Sequence, residues 1–146
     1  MRFLDANVFI YAYYKPKRHL SPKETQMKEE AKKIISDVSQ GREQVAMTVV
    51  HLSETVNILK HGMPKDQLNN FIRGLFMLDN LKILDVTRDA YFAATELGDD
   101  LMLDTNDALA IDVMRQNDMK EIYTFDEDFD RIEGVARIPK LSASST

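Results

Sequence analysis

Five short apolar runs, near residues 2–6, 44–48, 82–86, 121–125 and 135–138, are separated by segments of helical periodicity. This alternation is the strongest constraint on the fold. Strands that alternate with helices specify an α/β domain with a parallel sheet, since parallel neighbours need crossovers long enough to hold a helix. The expected architecture is a three-layer α/β/α sandwich around a parallel sheet of about five strands. The first run is expected at the centre of the sheet, because it is apolar and leads directly into Val8-Phe9-Ile10-Tyr11. Residues 22–40 read as a helix, with Pro22 near its start and Gly41 just past its end, where helices favour those residues. Residues 65–79 place Leu68, Phe71, Ile72, Leu75 and Phe76 at i, i+3, i+4, i+7 and i+8, an amphipathic stripe expected to face the core. Residues 88–98, opening after Thr87, read as helical as well.

At 146 residues the chain is expected to form one domain, residues 1–140, followed by a polar tail at 141–146 that frays. A composition of 44% hydrophobic and 29% charged residues is that of an ordinary globular protein. No apolar run reaches the length of a membrane span, so no membrane association is expected. The absence of cysteine excludes disulfides and thiolate metal sites and fits a cytoplasmic protein. A net charge of −5 argues against a protein that coats nucleic acid. It is compatible with a nuclease whose acids bind metal, because the ion offsets their charge. The basic clusters Lys15, Lys17, Arg18, His19 and Lys60, His61, Lys65 read as solvated loops.

Several chemistries lack their residues. Five glycines are scattered singly, so there is no phosphate-cradling loop. No Cys or His pair has zinc-ligand spacing, and no Gly-x-Ser-x-Gly elbow occurs. His19, His51 and His61 read as surface or structural residues, and the eight methionines as fillers of irregular core gaps.

Four acids remain. Asp5 closes the first strand, Glu54 lies mid-helix in Val49 to Leu59, Asp107 opens a helix in Asp104-Thr105-Asn106-Asp107-Ala108-Leu109, and Asp126 follows the strand Ile122 to Phe125. Taken singly, each has a structural explanation. Asp5 could cap the following helix, Asp104-x-x-Asp107 resembles a capping box, and Asp126 begins a turn-prone stretch. Glu54 could be a boundary residue sharing a stripe with Val50 and Ile58, its head in water. An EF-hand reading of the Asp126 stretch fails, since Arg131 and Arg137 stand where the glycine and the bidentate glutamate are needed. Together, carboxylates at strand ends and helix starts can converge at one edge of a parallel sheet, where such folds bind ligands. A cluster of oxygen ligands suits Mg²⁺ or Mn²⁺, ions that activate water for displacement at phosphorus.

The order strand-Asp-x-Asn, helix-Glu, helix-opening Asn-Asp-Ala-Leu and strand-Thr-x-Asp-x-Asp-Phe resembles the PIN-domain nucleases, including the toxins of VapBC toxin–antitoxin pairs. The most specific stretch is Tyr123-Thr124-Phe125-Asp126-Glu127-Asp128-Phe129-Asp130-Arg131, followed by Gly134 and a final strand. The resemblance implies strand order 3-2-1-4-5 and a Mg²⁺- or Mn²⁺-dependent endoribonuclease. It makes Asp5, Glu54, Asp107 and Asp126 the catalytic, metal-binding residues, with Asn7, Thr124 and Asp128 as supporting groups. Asp104 adds an acid that the family pattern lacks. Asp107 is preferred because it directly precedes Ala-Leu. The implied partners are an RNA substrate, a cognate antitoxin and a second copy of the chain. The rival readings are a stand-alone RNA-processing nuclease and a non-catalytic PIN-like module that holds RNA or protein. A haloacid dehalogenase-type phosphatase would want an aspartate at Asn7, and a receiver domain would want a lysine after a late strand.

Overall fold

The computed structural model describes residues 1–141. Five parallel strands, β1 (Arg2–Leu4), β2 (Val45–Thr48), β3 (Leu81–Leu84), β4 (Glu121–Tyr123) and β5 (Ala136–Ile138), form one sheet in the order β3-β2-β1-β4-β5. Six α-helices flank it: α1 (Ala6–Tyr13), α2 (Pro22–Ser39), α3 (Val49–Leu59), α4 (Lys65–Phe76), α5 (Arg88–Leu101) and α6 (Thr105–Gln116). A 3-10 helix, Glu127–Arg131, follows β4. Fold class and strand order are those expected, and β1 is central.

Alternation along the strands divides the core in two. Leu4, Val45, Met47 and Tyr123 face one side, where α1, α2 and α4 cover them through Phe9, Ile34, Ile35, Val38 and Leu75. Phe3, Ala46 and Ile122 face the other, covered by Ala110, Ile111 and Met114 of α6 and by Phe129 of the 3-10 helix. Both faces of the short central strands are therefore buried, which explains their unbroken apolar character.

The helix ends follow local chemistry. Ser21 and Glu24 form a reciprocal capping box at the start of α2, with Pro22 inside it. Arg18 pairs with Glu24 at 2.6 Å, so part of the first basic cluster is tied to this cap. Gly41, at φ +78°, takes the left-handed position just past α2, and its N–H donates to the Val38 carbonyl. The first strand stops at Leu4, short of residue 6, because Asp5 already caps α1. Helix α4 ends at Phe76, short of residue 79. Its stripe is only partly core: Leu68 and Leu75 are buried, Phe71 and Ile72 half-buried, and Phe76 is 59% exposed. The helix sits at the margin of its layer, so the outermost turn of the stripe meets solvent. Of the expected tail, Leu141 packs against the core, and residues 142–146 lie outside the described residues.

Helix α5 packs on the rest of the molecule through small residues at its closest approach, with half-buried Leu97 and Leu101 beside them. Ala94 and Gly98 are its buried positions, and the chain turns back into α6 through a left-handed Met102 at φ 57°. A β-carbon at Gly98 would lie 2.7 Å from the Leu103 backbone carbonyl oxygen. Alanine normally favours a helix over glycine by about 0.5–1 kcal/mol, but here the clash is with backbone that cannot swing aside. Gly98→Ala should therefore lower stability by about 1–3 kcal/mol, the usual cost of overpacking. Urea denaturation would measure it, and an unchanged or raised midpoint would show that the α5–α6 seam is slack.

Candidate functional site

At the carboxyl ends of β1 and β4 the chain turns into α1 and the 3-10 helix, and each turn begins with an aspartate. Asp5 is the N-cap of α1, accepting from the Ala6 N–H at 2.8 Å through Oδ1. Its other oxygen accepts a 2.7 Å hydrogen bond from the Thr124 hydroxyl. Thr124, completely buried, in turn accepts from Asn7 Nδ2 at 3.1 Å and from the Asp126 N–H at 3.1 Å. Asn7 Oδ1 takes the Phe125 N–H at 3.3 Å. Asp126 caps the 3-10 helix through the Asp128 N–H at 2.9 Å. The capping explanation thus holds for Asp5, and Asp126, expected to begin a turn, is a cap as well; neither role competes with a functional one, because the caps fix where these carboxylates point.

Helices α3 and α6 bring the remaining acids. Asp104 is the N-cap of α6 and accepts from the Asp107 N–H at 3.0 Å. The capping role therefore falls to Asp104 and leaves the Asp107 carboxylate outside it. Glu54 Oε1 accepts from Asn106 Nδ2 at 3.0 Å, and Asn106 Oδ1 accepts from the Tyr91 hydroxyl at 2.7 Å. The Asn106 carbonyl takes a further bond, at 3.1 Å, from Nε2 of His51. His51 is 1% exposed, and burial pushes its pKa down to about 4, so the ring is neutral at physiological pH. A carbonyl can only accept, so Nε2 carries the proton and Nδ1 accepts from the Thr48 hydroxyl at 2.7 Å. His51 is structural: it locks α3 to the start of α6.

The acids share one electrostatic environment. Burial pushes Asp5 up to about 7, helped by the charges of Glu54 and Asp126 and opposed by the bonds from Thr124 and Ala6. Asp107 is pushed up to about 8, first by burial and then by Asp5, Asp104, Asp126 and Glu54. Glu54 is raised by burial and by Asp104, against the bond from Asn106. Asp5 and Asp107, whose pKa values are raised by neighbouring acids in this way, lie close to those acids, and their titrations are coupled. Among the described residues no three acids or histidines form a ready coordination shell. The donor set nonetheless fits Mg²⁺, which keeps most of its waters and takes only one or two carboxylates from a protein.

Asn106 and Tyr91 were not singled out from the sequence. The available signal was the position of Asn106 directly before Asp107, but its bond to Glu54 spans 52 residues and leaves no local pattern.

A family model for the PIN domain matches residues 2–135. The chain belongs to the PIN-domain family. No curated protein matches its sequence. Among solved structures, PIN-fold similarity extends to the sarcin–ricin-loop-cleaving toxin VapC20 of Mycobacterium tuberculosis, with TM-score 0.65 and 20% identity over 89% of this chain and 93% of that one. A toxin–antitoxin complex from Klebsiella pneumoniae follows, with TM-score 0.63 and 18% identity over 93% and 96%. VapBC2 of Rickettsia felis, bound to a promoter DNA fragment, has TM-score 0.60 and 17% identity over 93% and 96%. At these identities the likeness is one of PIN fold.

The raised carboxyl groups have a stability consequence with a definite sign. A folded-state pKa above the ordinary 3.8 stabilises the protonated form, so this stability is fully present below pH 3.8. It is lost as pH rises through about 7 and then about 8. The metal-free PIN domain should therefore lose stability across that window, and Asp107→Asn should be more stable than wild type near neutral pH. Chemical denaturation from acid to mildly alkaline pH, with chelator present, tests this. A variant less stable than wild type at neutral pH would mean that Asp107 supports the fold.

Proposed function

We propose that this PIN domain is a Mg²⁺- or Mn²⁺-dependent endoribonuclease, the toxin of a VapBC-type pair, with Asp5, Glu54, Asp107 and Asp126 as its metal-binding and catalytic acids. The observation that carries the reading is the mutual charge effect on Asp107, which includes Asp5, Glu54 and Asp126 among its causes. Neighbouring acids that disfavour the ionisation of Asp5 and Asp107 are an electrostatic cost to the apo fold, and a bound cation would remove it. The ion, once held there, would supply Lewis-acid activation of water and charge stabilisation at the leaving oxygen.

The chain's own residues do the rest. Thr124 and the Ala6 N–H hold both oxygens of Asp5, so its carboxylate keeps one orientation. Asp126 has one oxygen engaged by the Asp128 N–H, and Asn106 orients Glu54. These groups pre-arrange the acids at the cleft and limit the reorganisation that binding of a phosphodiester would require.

Cleavage of RNA should require Mg²⁺ or Mn²⁺ and disappear with chelation. Asp5→Asn should lower the rate by orders of magnitude while far-UV circular dichroism stays unchanged. Mg²⁺ should raise the melting temperature of wild type by mass action and move Asp107→Asn less. Undiminished cleavage by a folded Asp5→Asn protein would remove the metal-site reading.

The toxin assignment rests on similarity in fold to the Klebsiella toxin–antitoxin complex and to VapBC2, and on the clustered acids, where a partner's arginine could pair bidentately with a carboxylate. Purification from the native host at moderate salt should return the protein with a small antitoxin, and the toxin itself as a homodimer. Recovery of the free chain alone would favour a stand-alone RNA-processing nuclease.

A further inference from the structure

Beside Glu54, helices α3 and α5 flank an open groove of about 440 Å³. One wall is a single stripe of α3, Val50, Ser53, Glu54 and Asn57, at i, i+3, i+4 and i+7. The opposite wall is the start of α5, with Thr87, Arg88 and Tyr91, and Val86 and Asn106 complete the lining. The volume lies toward the lower part of the range for small-ligand sites, roughly 300–1,000 Å³. We propose that this groove seats one unstacked base of the RNA strand, next to the phosphodiester presented to the carboxylates. The proposal rests on the nuclease reading and adds to it where the neighbouring nucleotide goes.

The wall chemistry selects a base over other occupants. Arg88, the one cationic side chain of the lining, is 96% exposed, so a phosphate is held at the rim and not inside. Val50 and Val86 are the only aliphatic side chains lining it, too few to hold an apolar peptide. Tyr91 supplies an aromatic surface, 38% exposed, and its hydroxyl is pinned to Asn106, which also holds Glu54. The ring is therefore set at a fixed place relative to the acid. Unpaired bases are commonly held by stacking on such rings. Ser53 and Asn57 are exposed on the other wall. Among the described residues neither makes a side-chain hydrogen bond within the protein, so the Asn57 amide can both donate to and accept from a base edge. Arg88, its side chain 96% exposed, has only a loose 3.7 Å contact with Asp89 and can meet a flanking phosphate at the rim.

Two measurements test the site. The first is binding of a short fluorescein-labelled single-stranded oligoribonucleotide in Ca²⁺, followed by anisotropy. Tyr91→Ala should weaken binding about ten-fold, whereas Tyr91→Phe, which keeps the ring, should stay within about two-fold of wild type. The second is cleavage in Mg²⁺ or Mn²⁺ of strands carrying a single abasic residue at successive positions beside the cut. Wild type should be slowed about ten-fold by one of these lesions, and Tyr91→Ala should be indifferent to it. Equal binding by wild type and Tyr91→Ala, or an abasic effect that persists in the variant, overturns the base site. So does a change in sedimentation of Tyr91→Ala with RNA binding intact, which would assign the groove to a second copy of the chain. Tyr91-dependent binding without metal-dependent cleavage keeps the base site and sinks the nuclease reading instead.

Discussion

The Thr124 hydroxyl donates to Asp5 across 2.7 Å inside a region from which water is nearly excluded, since Thr124 is fully buried and Asp5 only 5% exposed. A carboxyl so placed must be satisfied by the protein, because an unpaired buried acid costs several kcal/mol. Thr124 meets this need while accepting from Asn7 and from the Asp126 N–H. One hydroxyl therefore joins the end of β4 to the start of α1 and to the turn into the 3-10 helix. The Asp5 N–H donates to the Tyr123 carbonyl at 3.0 Å, carrying the central strand pairing to the point where the acid begins. Sheet geometry and carboxylate geometry are thus continuous at this edge.

A second set of bonds holds the opposite side of the cleft. Thr48 caps α3 and also fixes the tautomer of His51, which bonds to the Asn106 carbonyl. The Asn106 side chain then bonds both Glu54 and Tyr91. Helix α3 and the start of α5 are thereby both tied to one residue at the start of α6. A neutral histidine suits this role: protonated, it would present a second donor to a hydroxyl already arranged as donor, and burial disfavours its charge. These bonds oppose the repulsion among the acids. The cleft is held together by neutral groups and strained by its charged ones.

The sequence carried the parts of this arrangement that obey local rules. Asp5 and Asp126 stand where strands end, Pro22 and Gly41 bracket a helix, and short apolar runs alternate with helical segments. Such features arise from backbone chemistry within a few residues and so leave a pattern. The bonds from His51 and Glu54 to Asn106 span 55 and 52 residues and leave none. Asp107 is preferred over Asp104 in the sequence only through the family motif, because both are acids one turn apart at a helix start. Only the backbone geometry reveals which of them is occupied as the cap. Phe76 marks another limit. Periodicity assigns a face to a helix but not how far the neighbouring layer extends to cover it.

The strand order carries a consequence for biosynthesis. β1 occupies the centre of the sheet but pairs on one side with β4, which is made after more than a hundred intervening residues. A chain emerging from the ribosome folds from its N-terminal end. From residue 54 until residue 124 is made it holds Asp5 and Glu54 without Thr124 or Asp126, and β1 has an open edge where β4 will insert. The β1–β4 pairing is also the least local one, and contacts between distant segments close slowly. Whatever the cleft acts on, a partly made chain lacks the groups that orient Asp5. In a fold of this topology the surroundings of Asp5 are completed only when the central strand pair closes.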